Sequence, residues 1–264
     1  LDSFKATGKP LFDAYDPAKM LAYVQDHPEH HTIAVALSGD VGFYSGAKRL
    51  ITAFEGAGIH TELITGISSV TYFCSRLQIP WEDVKLMSIH GRRENLIAAV
   101  RTHFRTFTLL GGRDNVASLC EKLEKYGFEN VKLYIGERLH YPEERITEGT
   151  PAELKEKAFD SLCVAIIENP SYMSGLRSCI PDEEFQRGDA PMTKSEVRSL
   201  SVAKLNLNRD SIAWDIGAGT GSVSVEAARR AHRGTVYAIE QKADAVELIR
   251  KNKKKFRTHN VETV

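Results

Sequence analysis

A glycine-rich turn at residues 215–221, with the sequence DIGAGTG, constrains the fold of this chain more than any other feature. It follows an apolar run at 211–216 that predicts a strand, and it precedes a helical pattern at 223–232. A second apolar run at 236–239 ends in Glu240. Strand, glycine turn, helix and strand in this order predict a βαβ unit. The turn and the acid should then lie at the carboxyl ends of neighbouring parallel strands.

A βαβ unit of this kind is compatible with two nucleoside ligands, a dinucleotide and S-adenosylmethionine. Dinucleotide-binding turns follow the pattern G-x-G-x-x-G, whereas here the glycines alternate, at Gly217, Gly219 and Gly221. Asp215 would repel a pyrophosphate but attract the cationic amino group and the sulfonium of S-adenosylmethionine. Glu240 is placed to accept hydrogen bonds from ribose hydroxyls. The spacing therefore favours S-adenosylmethionine, and an NAD-dependent oxidoreductase is the alternative.

Short apolar runs alternate with helical patterns through the rest of the chain. The runs at 33–37, 61–64 and 84–89 predict buried strands with helices between them, which indicates a mainly parallel sheet covered by helices. The alternation continues with predicted strands at 106–110, 131–135 and 162–167 and predicted helices at 95–104 and 116–126. We therefore predict an α/β protein.

Two turns of small residues follow the first two predicted strands. One contains Gly39 and Asp40, and the other contains Gly66, Ser68 and Ser69. Backbone amides and side-chain hydroxyls at adjacent strand ends can form hydrogen bonds to a polar cofactor. Each turn taken alone is equally compatible with a plain chain reversal.

Residues 170–191 contain Pro, Gly, Ser and charged residues without clear periodicity. This composition is typical of an interdomain segment. We therefore predict one domain at residues 1–180 and a second at 181–264. In the second domain, an amphipathic helix at 194–205 precedes the βαβ unit.

The composition excludes several classes of function. Lys+Arg and Asp+Glu are equal at 35 each, so no global field attracts nucleic acid or an anionic membrane. No run approaches the roughly 20 apolar residues of a membrane span. The four cysteines are far apart, which disfavours a metal site and indicates buried thiols in a reducing cytoplasm. The basic run at 251–257 is typical of a solvated helix end.

Several motifs, read together, resemble a known family. GDVGFYS at 39–45, GISS at 66–69 and SIHGR at 88–92 resemble the tetrapyrrole methylases, the class III methyltransferases. In the second domain, PMTKSEVR at 191–198 leads into the glycine turn, as in the C15-methylating, decarboxylating enzymes of cobalamin biosynthesis. The two kinds of domain occur fused in the two-domain precorrin methyltransferases, which the chain resembles over essentially its whole length.

This resemblance implies a two-lobed tetrapyrrole-methylase domain followed by the start of a Rossmann-like class I methyltransferase domain. It implies C-methylation of a (cobalt-)precorrin at C5 and C15, with decarboxylation of the C12 acetate, and S-adenosylmethionine as methyl donor. Cofactor contacts are implied in the first domain for Gly39, Asp40, Gly66, Ser68 and Ser69. In the second domain they are implied for Thr193, Asp215, Gly217, Gly219, Gly221 and Glu240.

The substrate side is less defined. His90 and Arg92 are candidates for binding substrate carboxylates, because arginine forms bidentate carboxylate contacts, and a hinge role suits them equally well. No residue stands out as a catalytic base. The resemblance also implies a homo-oligomer, such as a dimer. Methylation of RNA or of another small molecule is an alternative, disfavoured by the charge balance and by the absence of an Asn/Asp-Pro-Pro-Tyr motif.

The ends of the chain depart from the family pattern. The first domain of the family normally opens with a strand and a Gly-x-Gly-Pro-Gly turn, which the residues after Leu1 do not supply. Class I domains normally continue with further strands after the position of Val264. We therefore expect an incomplete chain, and an inactive fragment is a further alternative.

Overall fold

The computed structural model describes residues 8–89, 94–173 and 177–264. These residues form two compact units, one ending at Tyr72 and the other running from Phe73 to Val264. His90 and Arg92, the two candidates for substrate binding, lie outside the described residues.

The first unit is built on helices. They are α1 Pro17–Asp26, α2 Ala47–Gly56 and the start of α3 Ser69–Arg76. Helix α1 begins as the sequence dictates, because Pro17 occupies its first turn and the Asp16 side chain accepts a hydrogen bond from the N–H of Ala18 at 3.0 Å.

The strands predicted at 33–37 and 61–64 are wrong, because neither segment is paired in a ladder within the described part of this unit. Their apolar side chains are exposed instead of buried. Leu63 is 55 % exposed and Ile64 is 81 % exposed. An apolar run forms a strand only where a neighbouring strand satisfies its backbone groups.

The second unit opens with a mixed five-stranded sheet in the order β1-β2-β5-β3-β4. Its strands are β1 Val84–Ser88, β2 Arg105–Leu109, β3 Lys132–Glu137, β4 Arg145–Gly149 and β5 Cys163–Glu168. Only β1 and β2 pair in parallel, and the other three pairings are antiparallel. The predicted mainly parallel sheet is therefore wrong for this part of the chain. Strand β4, with the sequence RITEG, was not predicted because it has no apolar run.

Helices α4 Leu96–Thr102, α5 Val116–Lys125 and α6 Pro151–Leu154 contribute to the core beside this sheet. The apolar stripe predicted for α5 is confirmed. Its four members are at most 1 % exposed and join Leu133 and Ile135 of β3 in the core: Val116, Leu119, Cys120 and Leu123. Burial of such a stripe against a sheet is the main stabilisation of a helix this short.

The last part of the second unit contains the βαβ unit that the sequence predicts. After α7 Ser195–Lys204 come β6 Ile212–Ile216, α8 Ser222–Arg230, β7 Thr235–Ile239, α9 Ala243–Lys255 and β8 Val261–Thr263. The three strands are parallel in the order β6-β7-β8. Ile216 lies opposite Ile239 in the ladder, so the turn after β6 and the acid after β7 meet at the same edge.

The segment predicted as an interdomain linker is packed from Ile180 onward. Ile180 and Phe185 are 2 % and 4 % exposed and form a small core with Val225 of α8. Asp182–Glu184 forms a single 3₁₀ turn between them. Two apolar residues five positions apart give no periodicity, which is why the sequence did not reveal this packing. Within the described ranges, no helix has the length and apolarity needed to cross a membrane.

Candidate functional site

The glycine turn after β6 has a backbone that only glycine adopts readily. Gly217, Gly219 and Gly221 have φ angles of +77°, +55° and +74°, in the left-handed region that a Cβ disfavours. The N–H groups of Gly217 and Ala218 both donate to the carbonyl of Ile239, at 2.9 and 3.1 Å. The turn is therefore held against the end of β7.

Glu240 fastens the same turn with its side chain. Its Oε2 accepts a hydrogen bond from the N–H of Gly219 at 2.9 Å. Its Oε1 accepts from the N–H groups of Gln241 and Lys242, at 2.9 and 3.0 Å. These bonds, first that of Lys242 and then that of Gly219, lower the pKa of Glu240 below its usual value. The carboxylate is charged at neutral pH and lies at the carboxyl edge of the sheet.

Asp215 lies at the other side of the turn. It is half-buried near the end of β6, and its Oδ2 accepts a hydrogen bond from the Ser224 hydroxyl at 2.5 Å. This contact links the strand to the first turn of α8. The structure thus places Asp215 at the start of the loop and the Glu240 carboxylate against Gly219, near its middle.

The three glycines differ in what surrounds them. A Cβ on Gly219 would lie 2.8 Å from the carbonyl oxygen of Pro191, and a Cβ on Gly221 would lie 3.1 Å from a side-chain carbon of Ile249. A Cβ on Gly217 would meet nothing within 4 Å. The loop is thus closely covered by the chain at two glycines and open at the third.

The side-chain hydroxyl of Thr220 is buried inside this loop, which is unusual for a polar group without a hydrogen-bond partner. The residue is 1 % exposed, and its Oγ1 has no hydrogen-bond partner within the described part of the chain. A buried hydroxyl without a partner costs free energy, on the order of 1–3 kcal/mol. A polar ligand held by the loop is one way to satisfy it.

The side chain of Asn252, on α9, binds the backbone of the loop. This role was not predicted from the sequence. Asn252 is 0 % exposed, and its amide donates to the carbonyls of Thr220 at 2.9 Å and Gln186 at 3.0 Å. Its Oδ1 accepts from the N–H of Gln186 at 2.8 Å. One side chain therefore joins the glycine loop to the segment around Gln186, which precedes α7.

Arg198 of α7 is a second residue that sequence reasoning missed, although it lies inside the PMTKSEVR motif. Its side chain is 0 % exposed and donates to Glu226 at 2.8 Å and to Asp182 at 2.9 Å. It also donates to the carbonyls of Thr193 and Ile180. Thr193 itself is exposed, and its carbonyl position is fixed by Arg198. A buried arginine pairs in this way because an unpaired charge there would be costly.

The residues of the first unit that were predicted to contact a cofactor lie in two turns that touch each other. A Cβ on Gly66 would overlap the carbonyl oxygen of Gly39, so the two turns are in backbone contact. Gly39 has a φ of +76°. The Asp40 carboxylate accepts a hydrogen bond from the N–H of Gly42 at 2.6 Å, which shapes the first turn.

Ser68 and Ser69 lie at the start of α3. The Ser68 hydroxyl oxygen accepts a hydrogen bond from the N–H of Thr71 at 3.2 Å. Ser68 is buried and Ser69 is half-buried. Ser68 thus already serves the backbone of α3 in the way that cap residues do.

Three of the four thiols are poor nucleophiles in this fold. Cys74, Cys120 and Cys163 are buried, and burial raises the pKa of each to about 11. Cys179 is half-buried. The expectation that the cysteines act as small buried apolar residues is therefore confirmed for the first three.

Comparison with known proteins places this geometry in a family. A model of the tetrapyrrole (corrin/porphyrin) methylases matches residues 3–155, more than half of the chain. The chain belongs to the tetrapyrrole methylases. A second model, of the precorrin methyltransferase domain, matches residues 183–264. The predicted order of a tetrapyrrole-methylase region followed by a class I methyltransferase region is therefore confirmed.

Curated relatives agree with both matches. The chain is 31 % identical over 202 residues to a precorrin-6Y C(5,15)-methyltransferase [decarboxylating] from Sinorhizobium sp, covering 74 % of this chain and 48 % of that protein. It is 51 % identical over 87 residues to a probable cobalt-precorrin-6B C(15)-methyltransferase (decarboxylating) from Sulfolobus acidocaldarius, covering 32 % of this chain and 45 % of that protein. The chain spans about half the length of these curated relatives. The resemblance to two-domain precorrin methyltransferases is confirmed.

One solved structure shares the fold at low identity. The methyltransferase CobJ matches with a TM-score of 0.51 and 16 % identity, over 61 % of this chain and 74 % of that chain. At this identity the match supports the fold alone.

Proposed function

We propose that this protein uses S-adenosylmethionine to methylate a precorrin at C5 and C15, with decarboxylation of the C12 acetate. The observation that carries the proposal is the contact between Glu240 and Gly219 within the DIGAGTG loop. It lies in the region similar to precorrin methyltransferase domains. The names of the relatives, which describe methylation at C5 and C15 of precorrins, support the choice of substrate.

The residues of the loop fit the proposed cofactor. The open space beside Gly217 and the unpartnered hydroxyl of Thr220 offer room and a polar contact for a ligand. Asp215 and Glu240 give the loop a negative charge, which suits the cationic methionine end of S-adenosylmethionine and disfavours a pyrophosphate. When bound, this cofactor supplies an electrophilic methyl group to an electron-rich carbon of the tetrapyrrole.

Glu240 has room for one further hydrogen bond in good geometry. A carboxylate oxygen accepts about two hydrogen bonds. Oε1 already accepts two, from Gln241 and Lys242, and Oε2 accepts one, from Gly219. The remaining acceptor direction, on Oε2, is available to one ribose hydroxyl. The sequence suggested hydrogen bonds from both ribose hydroxyls, and the contacts of Glu240 reduce this to one.

Asp215 is the proposed partner of the cationic amino group. Ser224 occupies Oδ2, and Oδ1 has no hydrogen bond to any described residue. The Ser224 contact fixes the direction of the carboxylate, so the free oxygen is held in place before the ligand arrives. Thr193, whose position depends on Arg198, completes the proposed set in this region.

In the first unit, the touching turns at Gly39 and Gly66 are the proposed second cofactor site, with Asp40, Ser68 and Ser69. The chain's contribution at both sites is to hold two large reactants in a fixed geometry and to exclude water. His90 and Arg92 remain candidates for the substrate carboxylates. A dimeric assembly and a cytoplasmic location are part of the same proposal.

The test is to incubate the full chain with S-adenosylmethionine and a precorrin that lacks the C5 and C15 methyl groups. We expect S-adenosylhomocysteine, methylated tetrapyrrole and carbon dioxide. At limiting S-adenosylmethionine, Glu240→Gln should slow carbon dioxide release and leave methylation at C5 unchanged, whereas Gly66→Val should suppress methylation at C5 and leave carbon dioxide release unchanged. Tetrapyrrole recovered unchanged, with no S-adenosylhomocysteine formed, would contradict the proposal.

A further inference from the structure

A buried guanidinium with no hydrogen-bond or ion-pair partner among the described residues lies at the far end of α8. Arg229 is 7 % exposed, and no hydrogen bond or ion pair joins it to another described residue. Burial lowers the pKa of its guanidinium below the usual value. A buried cation that is neither paired nor hydrogen-bonded is costly, so proteins seldom retain one without a counter-ion.

Arg229 borders a cavity of about 280 Å³. The described residues that line it are mostly basic: Arg177, Ser178, Glu226, Arg229 and Arg230. The one acid among them is already engaged, because Oε1 of Glu226 accepts from Arg198 at 2.8 Å and from the N–H of Ile180 at 3.0 Å. Glu226, and after it Glu184, raise the pKa of Arg229. Neither carboxylate forms a hydrogen bond or ion pair with Arg229 in the described part of the chain, because Glu226 is bound by Arg198 and Glu184 by Arg177.

A second buried arginine adds to the positive field. Arg101 of α4 is 4 % exposed. Its Nη1 donates to the carbonyl of Phe256 at 2.9 Å, but its Nε has no partner in the described part of the chain. Burial, and then the charges of Arg229 and Arg257, lower its pKa to about 10. Arg229 therefore faces further cations, and no acid is within ion-pair distance of it in the described part of the chain.

A simpler explanation is that basic residues in the last turn of a helix favour its negative end. This explains Arg230, which is exposed to solvent. It does not explain Arg229, because that side chain is buried and donates to none of the last carbonyls of α8. Arg177 is also accounted for, since Glu184 binds it at 2.6 and 3.1 Å.

We propose that the cavity beside Arg229 and Arg230 binds an oxyanion, a carboxylate or phosphate group that neutralises Arg229. A guanidinium presents paired N–H donors that match the two oxygens of such a group. Arg229 is seven residues after Ser222, so the cavity lies roughly 10 Å along the helix from the glycine loop. The site is thus separate from the proposed cofactor contacts, and the proposal does not depend on them.

The test is thermal unfolding of the full chain in increasing inorganic phosphate or succinate, with chloride at matched ionic strength as reference. The variant is Arg229→Met, which keeps the length of the side chain and removes its charge. The control is Arg250→Met, because Arg250 is exposed on α9 and lies outside the cavity. Oxyanions also stabilise proteins by general exclusion from the surface, and comparison of the variants separates that effect from binding.

We expect a saturable rise in the unfolding midpoint for the wild type and for Arg250→Met, and none for Arg229→Met. In chloride alone, Arg229→Met should unfold at the wild-type temperature or above, because it removes an unpaired buried charge. Stronger saturation by succinate would indicate a carboxylate ligand, and stronger saturation by phosphate a phosphate ligand. A phosphate response that Arg229→Met retains, or a wild type that responds no more than to chloride, would overturn the proposal.

Discussion

The carboxylate of Glu240 accepts a hydrogen bond of 2.9 Å from the backbone N–H of Gly219, 21 residues earlier in the chain. The bond crosses from the end of β7 to the turn after β6, so one acidic side chain shapes the loop and faces its open edge. The same carboxylate also accepts from Lys242 at the start of α9. Loss of its charge should therefore affect ligand binding more than it affects the core.

Two glycine substitutions separate the shape of the loop from its contact with a ligand. Gly217→Ala and Gly219→Ala both place a Cβ on a left-handed backbone, which costs roughly 1–2 kcal/mol. Gly219→Ala adds a clash with Pro191, whereas Gly217→Ala points into open space. We expect Gly219→Ala to lose more stability in urea unfolding. Gly217→Ala should be the milder change for folding and yet weaken binding of S-adenosylhomocysteine in calorimetry. Wild-type affinity in Gly217→Ala would show that no cofactor lies against the open glycine.

Arg198→Met should destabilise the second unit strongly. The change leaves Glu226 and Asp182 without their buried partner, and breaking such a network costs about 3–5 kcal/mol. The free energy of unfolding in urea measures the loss. Arg209→Met is the control, because its pair with Asp210 is exposed and should be worth no more than about 1 kcal/mol. Equal losses of unfolding free energy in the two variants would show that the buried ion pairs of Arg198 contribute no more than an exposed pair.

Asn252→Leu should weaken both the fold and the cofactor site. It leaves the carbonyl of Thr220 and the backbone of Gln186 unsatisfied, at a cost of about 1–3 kcal/mol. Asn260→Leu is a matched control, because Asn260 is also buried and bonded to carbonyls, but those of Ala228 and Ala231. We expect similar losses of stability in the two variants. Reduced affinity for S-adenosylhomocysteine should appear only in Asn252→Leu, and equal affinity in both would argue against a positioning role.

Local pattern was enough to predict the glycine loop, because strand, turn, helix and strand follow one another without long-range pairing. Long-range contacts were not predictable in the same way. Arg198 and Asn252 acquire their roles only when segments far apart in the sequence meet. The motif at 191–198 pointed to this region, but spacing alone gave no reason to expect a buried arginine.

The errors in the sheets have a related cause. The runs at 33–37 and 61–64 have the composition of strands, but strand formation also needs a paired neighbour. Strand β4 shows the opposite case, because its polar sequence is paired with β3 from Glu137 opposite Arg145 onward. The bidentate contact of these two side chains, at 2.6 and 2.8 Å, supports a register that hydrophobic pattern does not reveal.

His259 should make stability depend on pH. It packs against Tyr126 and faces Lys122, Lys125 and Lys253. Burial and then these three charges lower its pKa to about 4. The unfolded chain, with a pKa near 6.5, takes up the proton first. The stabilisation is therefore complete above about pH 6.5 and is lost as the pH falls toward 4, by at most about 3 kcal/mol.

The measurement is urea unfolding of wild type and His259→Gln between these pH values. Carboxylates also titrate in this range, so the difference between the two proteins isolates the histidine. The wild type should lose more stability than the variant on acidification. If the two proteins lose stability in parallel as the pH falls, His259 has a similar pKa in the folded and unfolded chain, which would contradict the prediction.

Calorimetric titration of the full chain with S-adenosylhomocysteine and with NAD tests the central claim most directly. We predict saturable heat with S-adenosylhomocysteine and none with NAD. In Glu240→Gln, affinity at the glycine loop should fall about tenfold or more, as expected for a weakened charge-assisted hydrogen bond. Glu247→Gln, an exposed change on α9, should leave it unchanged. Heat with NAD and none with S-adenosylhomocysteine would contradict the account.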